Sequence, residues 1–282
     1  MAPVPILDEK PSFQPIKDDG TSAPEVDEEI LDLFETAMAS LHPRNVEEKA
    51  RSVAAHLRVL LPPSIEKKEY FLFNFWEILI AIARHVPSRH DGQALLVEVL
   101  KELNSPAMAD GGSNPWKGLP DFSTSMRDNW IDPTFEAGDK EDQEYNYNEW
   151  LNLNSFNARL LGSGLVGWVS FAIWELRQGL EVEARPGEIA DCRAAVASEW
   201  LIYAEPELLI RSSLALDLDE AERRSQRTGE LFAGKPGLSL ERWDFWKRRC
   251  VEIQKTVGET VVARLKQAFK TMVEAERDSM DR

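Results

Sequence analysis

YFLFNFWEILIAIA, residues 70–83, decides the fold. Phe71, Phe75, Ile78, Leu79 and Ile82 form one stripe at helical spacing, and Leu72, Phe73, Trp76 and Ile80 cover much of the remaining surface. A helix that is apolar nearly all round is a central one, enclosed by other helices. Lipid is excluded as its surroundings: Asn74 and Glu77 interrupt the run, and a bilayer span needs about 20 apolar residues. Ser64 stands before it as N-cap and Pro87 follows its end.

Working toward the N-terminus, Asn45 is positioned to cap a helix carrying Val46, Ala50, Val53, Ala54, Leu57 and Leu61, which Pro62-Pro63 ends. Before it, VDEEILDLFETAMASL places Ile30, Phe34, Ala37 and Leu41 on one face, with Asp27, Glu28 and Glu29 in the first turn, where the helix dipole favours anions. Residues 1–24 carry Pro3, Pro5, Pro11, Pro15 and Pro24 without apolar periodicity, and read as a disordered tail.

Toward the C-terminus, Asp91 is placed to cap a helix running through Leu95, Val99 and Leu103. Periodicity then lapses from Asn104 to about Asp142, with an acidic stretch from Glu136 to Glu144. A structureless loop of that length is uncommon in a compact domain. Trp116, Phe122, Met126 and Trp130 predict that it packs down around a short helix. Helical spacing returns in EYNYNEWLNLNSFNARLL and breaks at Gly162–Gly164. It resumes in a second strongly apolar segment, Leu165–Trp174, and again in GEIADCRAAVASEWLIYA, with Ile189, Val196, Trp200 and Tyr203 on one side.

The last segment, from Ser239 to near the C-terminus, spaces Trp243, Trp246, Cys250, Ile253, Val257, Val261, Leu265, Ala268 and Met272 three or four apart. That is a bundle seam of about 60 Å if unbroken, with Gly258 the place for a bend. No alternating strand or flanked hairpin turn occurs. The expected architecture is all-α: a single domain over residues 25–282, with about eight to ten helices around two buried central ones.

The 282 residues hold 49 acidic and 33 basic side chains, a net charge of −16 that repels phosphate backbones and anionic lipid. Nucleic-acid and membrane binding are therefore not expected. Cys192 and Cys250 sit in helical apolar patterns and read as buried, reduced thiols. The start, MAPVPILDEKP, shows no basic region followed by an apolar one, and with the free thiols it leads to an expected cytoplasmic location, the nucleus remaining open.

Chemistry-bearing motifs are sparse. His85 and His90 lie across a proline turn with no thiol or carboxylate at metal-ligand spacing, and read as capping or loop residues. The acidic run Asp217–Glu222 looks superficially like the magnesium motifs of all-α terpene cyclases, but the partner Asn-Ser-Glu triad is absent, so it reads as a solvated helix start. GLVGWV has neither the lysine nor the preceding strand of a phosphate loop, and no Ser or Cys sits in a nucleophile elbow. No metal or cofactor is expected.

Two groups stand out as binding candidates. Asn154 and Asn157 lie in an apolar helix, where amides need partners: they tie off a neighbouring helix end, or line a small pocket with Trp174. In LSLERWDFWKRR, residues 238–249, Trp243, Trp246 and Cys250 continue the seam, while Lys247, Arg248, Arg249 and Arg242 fall largely off it, toward water or acidic neighbours. Arg242, Trp243 and Trp246 form the alternative recognition face.

Six phrases, HDGQALLVEVLKEL, PWKGLP, EWLNLNSFNARLL, AIWELRQGLE, EWLIYAEPELL and GKPGLSLERWDFWKRR, occur in this order. Together they resemble the fungal "domain of unknown function 3632" family across roughly Glu66–Met272. The family has Leu-Trp where this chain has Leu231-Phe232, and an aromatic residue where it has Cys250, both departures within apolar positions. The resemblance implies a fungal origin and a helical fold, and carries over no catalytic residue. The function expected from the residues is a non-catalytic module that binds a protein partner. The alternative is an enzyme or small-ligand carrier with a pocket near residues 154–174.

Overall fold

Pro62-Pro63 and Pro87 follow the ends of two helices as expected, whereas Asn45 and Ser64, expected as N-caps, make no capping hydrogen bond. The computed structural model describes residues 11–18, 24–106, 114–135 and 144–280. Among these residues there are thirteen α-helices and no strand. They fall into two compact units: Met1–Pro133 with Ala137–Phe156, and Thr134–Glu136 with Asn157–Arg282.

The first unit holds α1 (Gln14–Asp18), α2 (Pro24–Ala39), α3 (Val46–Leu60), α4 (Ile65–His85), α5 (Asp91–Asn104), α6 (Phe122–Asp128) and the start of α7 (Tyr147–Gly162). The apolar run of residues 70–83 makes α4 its central helix, packed by α2, α5 and α6. Phe75, Trp76, Leu79, Ile80, Ile82 and Ala83 have no exposed surface. The predicted packing-down of the long loop occurs through aromatics. Trp76 stacks on Phe122 at 4.6 Å, and Trp116 meets Phe75 edge-on at 5.1 Å. Trp76 Nε1 donates to the Pro120 carbonyl at 2.8 Å.

Leu119 and Asp121 adopt left-handed backbone (φ 50° and 62°) in that loop, a cost of about 1–2 kcal/mol each for residues with a Cβ. Burial of the Leu119 side chain offsets part of it. Residues 107–113 and most of the acidic stretch from Glu136 to Glu144 lie outside the described residues.

Within the segment read as a tail, residues 1–10 and 19–23 also lie outside the described residues. Between them Phe13, just before α1, and Ile16, within it, are buried, and Lys17 pairs with Asp32 at 2.7 Å and Glu35 at 3.3 Å on α2. The Phe13–Ile16 spacing of three is the helical signal that the prolines obscured.

The second unit holds the rest of α7, α8 (Val169–Leu176) continued by a π-helical turn (Arg177–Glu181), α9 (Glu188–Tyr203), α10 (Glu205–Leu214), α11 (Glu220–Ser225), α12 (Leu240–Glu252) and α13 (Glu259–Met280). Here α9 is central, against α8, the π turn, α10 and α13. Ala190, Ala194, Ala195 and Ala197 on it are all buried. Small residues bring neighbours close: a Cβ on Gly179 would come within 2.5 Å of the Arg193 carbonyl. Ile189 is exposed, although Val196 and Trp200 on the same side are buried, because it lies in the first turn of α9.

The final segment is two helices rather than one. A 3-10 turn at Ile253–Lys255 ends α12, and α13 starts after Gly258. Asp191 of α9 fixes the break: its Oδ1 accepts the Gly258 N–H at 3.0 Å, capping α13 from a neighbouring helix. Arg264 on α13 and Glu199 on α9 then form a buried ion pair.

Candidate functional site

The stretch at residues 238–249 resolves into core and edge. Ser239 caps α12, its Oγ accepting the Arg242 N–H at 3.1 Å. Trp243, Trp246 and Cys250 are buried along one stripe. Trp243 Nε1 donates to Glu276 of α13 at 2.7 Å, and Lys247 pairs with the same carboxylate and with Asp244 at 2.9 Å. Burial alone would lower the Lys247 pKa, but these hydrogen bonds outweigh it and hold the value above normal. Arg249 pairs with Glu252 at 2.8 Å, and Arg248 is exposed.

Arg242 departs from the outward-facing expectation: it is fully buried. Its Nε and Nη2 meet the two oxygens of Glu181, also fully buried, at 2.6 and 3.0 Å. Nη1 donates to the carbonyls of Gln226 (3.0 Å) and Gly237 (2.9 Å), and Nη2 also to that of Arg227 (3.1 Å). All five guanidinium N–H groups are thereby used. Glu181 accepts in addition from Trp246 Nε1 at 2.7 Å and Gly229 N at 2.8 Å.

Neighbouring side chains tie down the same loop. Trp174 Nε1 donates to the Ser225 carbonyl at 2.9 Å, and Arg177 Nη1 to that of Arg227 at 3.3 Å. Burial, with Arg227 and Arg242 close by, lowers the pKa of Arg177. The irregular segment between α11 and α12 thus takes its shape from side chains of α8, the π turn and α12. Trp174, half-buried, packs edge-on against Phe171 at 5.4 Å. The structure brings Arg242, Trp246 and Trp174 together on this loop, with Trp243 on the α13 side of α12.

The two asparagines lie one turn apart on α7, away from this loop. The boundary between the units falls after Phe156, so Asn154 belongs with the first and Asn157 with the second. Asn154, buried, donates to the Trp150 carbonyl one turn back at 2.9 Å. Asn157 is buried as well. Asn152 fills a helix-end role. Its Nδ2 donates to the Arg84 carbonyl at 2.7 Å while its Oδ1 accepts the Ser88 N–H at 2.8 Å. Gln93 Nε2 donates to the Ala83 and Val86 carbonyls at 3.1 and 2.7 Å, completing the cap on α4. The signal for Asn152 was its half-polar register beside apolar Leu151 and Leu153, which singled out no partner.

The other chemistry-bearing groups are engaged in structure. His90, rather than Asp91, caps α5: Gly92 N–H donates to its Nδ1 at 2.9 Å, and burial lowers the His90 pKa, favouring the neutral acceptor. His85 Nδ1 lies 2.9 Å from the Ala81 carbonyl. Asp219 and Glu222 form a reciprocal capping box on α11, the helix start read from the acidic run. Among the described residues no group of three or more His, Cys, Asp or Glu side chains is placed to hold a metal ion.

One exposed surface carries two aromatic rings on a single helix. On the outer side of α4, Ile65, Tyr70 and Phe73 are 75%, 56% and 54% exposed, although the opposite side of the same helix is the core of its unit. Glu66 and Glu69, also exposed, lie within about 40° of Phe73 around the helix axis. Exposed aromatic groups on a rigid central element are characteristic of recognition surfaces.

A family profile described as protein of unknown function (DUF3632) matches residues 76–250. No curated protein and no solved structure matches. Among the described residues no helix is long and apolar enough to cross a membrane.

Proposed function

The chain belongs to the DUF3632 family of proteins of unknown function, and from that premise we propose that it acts by protein recognition rather than catalysis. The exposed face of α4 carries this reading. Tyr70 and Phe73 present large, stiff apolar surface on a helix whose other side is locked in the core, so little entropy is lost when a partner covers them. Glu66 and Glu69 beside them give the face a negative rim, suited to a partner segment with basic and apolar residues.

The polar residues picked out by sequence favour the same reading. Arg242 has its whole donor set committed to Glu181 and the loop carbonyls, which makes it a scaffold group rather than a ligand-binding one. The Cys250 thiol is pushed up to about 12 by burial, far from nucleophilic range. Both features support a role carried by the surface.

The test is affinity capture with the full chain and with a Tyr70→Ser/Phe73→Ser variant, followed by mass spectrometry of the bound proteins. The variant is expected to keep the parent's melting temperature and helical circular dichroism while losing partners that the parent retains. Identical captured proteins from both would overturn the assignment to α4.

A further inference from the structure

We propose that the α4 face of one copy of this chain docks on the outer face of α13 of a second copy. The proposal rests on the reading of α4 as a recognition face and names its partner. On α13, Val261, Leu265, Ala268 and Met272 are buried. The side turned away from them carries Phe269 and Val273, 36% and 40% exposed, with Lys266, Lys270 and Arg277 among them, all exposed. In a chain of net charge −16 this is a local basic stripe built around apolar residues.

The two faces are complementary in charge and alike in layout. Around Phe73, Glu66 lies within about 20° and Glu69 within about 40° of the same direction. Around Val273, Lys266 lies within about 20° and Arg277 within about 40°. Each face therefore has an apolar centre and a charged flank, acidic on α4 and basic on α13. Lys67 lies about 120° from Phe73 and about 60° from Tyr70, so it borders the face on the Tyr70 side while Glu66 and Glu69 flank Phe73. On α13, Glu274 touches the rim, 3.7 Å from Lys270, an exposed pair that is readily exchanged for another carboxylate. Laid parallel, with Phe73 level with Val273, two such helices bury Tyr70 and Phe73 against Phe269 and Val273 while Glu66 and Glu69 meet Lys266 and Lys270. Two helix faces make a small interface, and association is expected at micromolar concentrations.

The net charge repels copies at long range while the two faces attract at short range, so salt dependence alone does not diagnose the contact. A charge swap does. Variant one carries Glu66→Lys/Glu69→Lys, and variant two Lys266→Glu/Lys270→Glu; all four positions are exposed, and parental circular dichroism and melting check the fold. Sedimentation velocity and light scattering on the full chain should show mass rising above the monomer with concentration. Either variant alone should associate about a hundredfold more weakly, since its like charges now face each other. Mixing the two variants restores opposite charges on both pairs of faces, and association should return to near the parental strength. A parent that stays monomeric at high concentration, or a mixture that fails to associate, overturns the proposal. If that happens while Tyr70→Ser/Phe73→Ser still loses captured proteins, the recognition face stands and the second copy is ruled out as its partner. If the capture too is unchanged, both readings fall.

Discussion

Glu181 and Arg242, 61 positions apart, meet side-on through two hydrogen bonds of 2.6 and 3.0 Å with neither side chain exposed. A buried ion pair is weak support for stability in itself, because desolvation opposes the attraction. The measurable quantity is the cost of losing one partner while the other stays.

Removing one member leaves the other charged and buried, so Glu181→Leu or Arg242→Met alone should destabilise by about 3–5 kcal/mol. The double variant should recover a substantial part, since no isolated charge remains, although the loop carbonyls of Gln226, Arg227 and Gly237 then lose their donor. Arg242→Lys should resemble the single losses, because an ammonium cannot reproduce the planar fork. Denaturant titration of all four variants gives the coupling energy directly.

Both thiols should be silent in the native protein. Cys250 is fully buried with its pKa pushed up to about 12 by burial, and Cys192 is buried too. A thiol-exchange reagent at pH 8 should titrate neither on the timescale of minutes and both after unfolding in guanidinium chloride. Rapid labelling of Cys250 in the folded protein would refute the packing around α12, and of Cys192 the packing around α9.

Glu205, at the start of α10, has its pKa pushed up to about 7, first by burial and then by the nearby Asp278 of α13. Because the folded value lies above the unfolded one, the protonated group contributes stability that is fully present below about pH 4.5 and lost as pH rises through about 7. Glu205→Gln should therefore raise the melting temperature at pH 8 relative to the parent and leave the difference near zero at pH 4. The side chain is partly solvated, which keeps the effect modest. Asp278→Asn should move the midpoint of the parent's own pH dependence downward.

Phe13 provides a test near the N-terminus. With no exposed surface, Phe13→Ala should cost about 3–5 kcal/mol, as core phenylalanines do. Lys17→Ala, at a partly exposed pair, should cost within about 1 kcal/mol. Equal melting of Phe13→Ala and parent would show α1 undocked.

How far each residue could be read in advance depends on the range over which its place is determined. The central place of α4 was legible because its composition leaves no polar side to expose. The seam of Trp243, Trp246 and Cys250 was legible from spacing alone. Arg242 was not, since it sits off that seam and its burial is made tolerable by Glu181 on the π turn and by the loop carbonyls before α12. The break between α12 and α13 was half legible: Gly258 marked it, but Val257 carried the apolar spacing across, and the cap comes from Asp191 on α9. On α9 the side shared by Ile189, Val196 and Trp200 was legible from spacing, but Ile189 in the first turn lies beyond the packing that buries the other two. Asn152 and Asn154 point to opposite sides of α7, and which side faces the end of α4 is a distinction that requires the tertiary neighbour.

The π turn at Arg177–Glu181 has a further consequence, which concerns counting. Such a turn is an α-helix holding one surplus residue, and every position after it is rotated by about 100° from where an uninterrupted helix would put it. Glu181 reaches Arg242 on that surplus phase. Excising a single residue here, Gly179 for instance, would take no charge and no large side chain from the protein. It would nonetheless aim the carboxylate away from the guanidinium and leave the Ser225–Gly237 crossing without its strap. The helix thus stores the position of a distant loop as a residue number, and an insertion or deletion of one between Trp174 and Glu181 would be felt more sharply than most substitutions there.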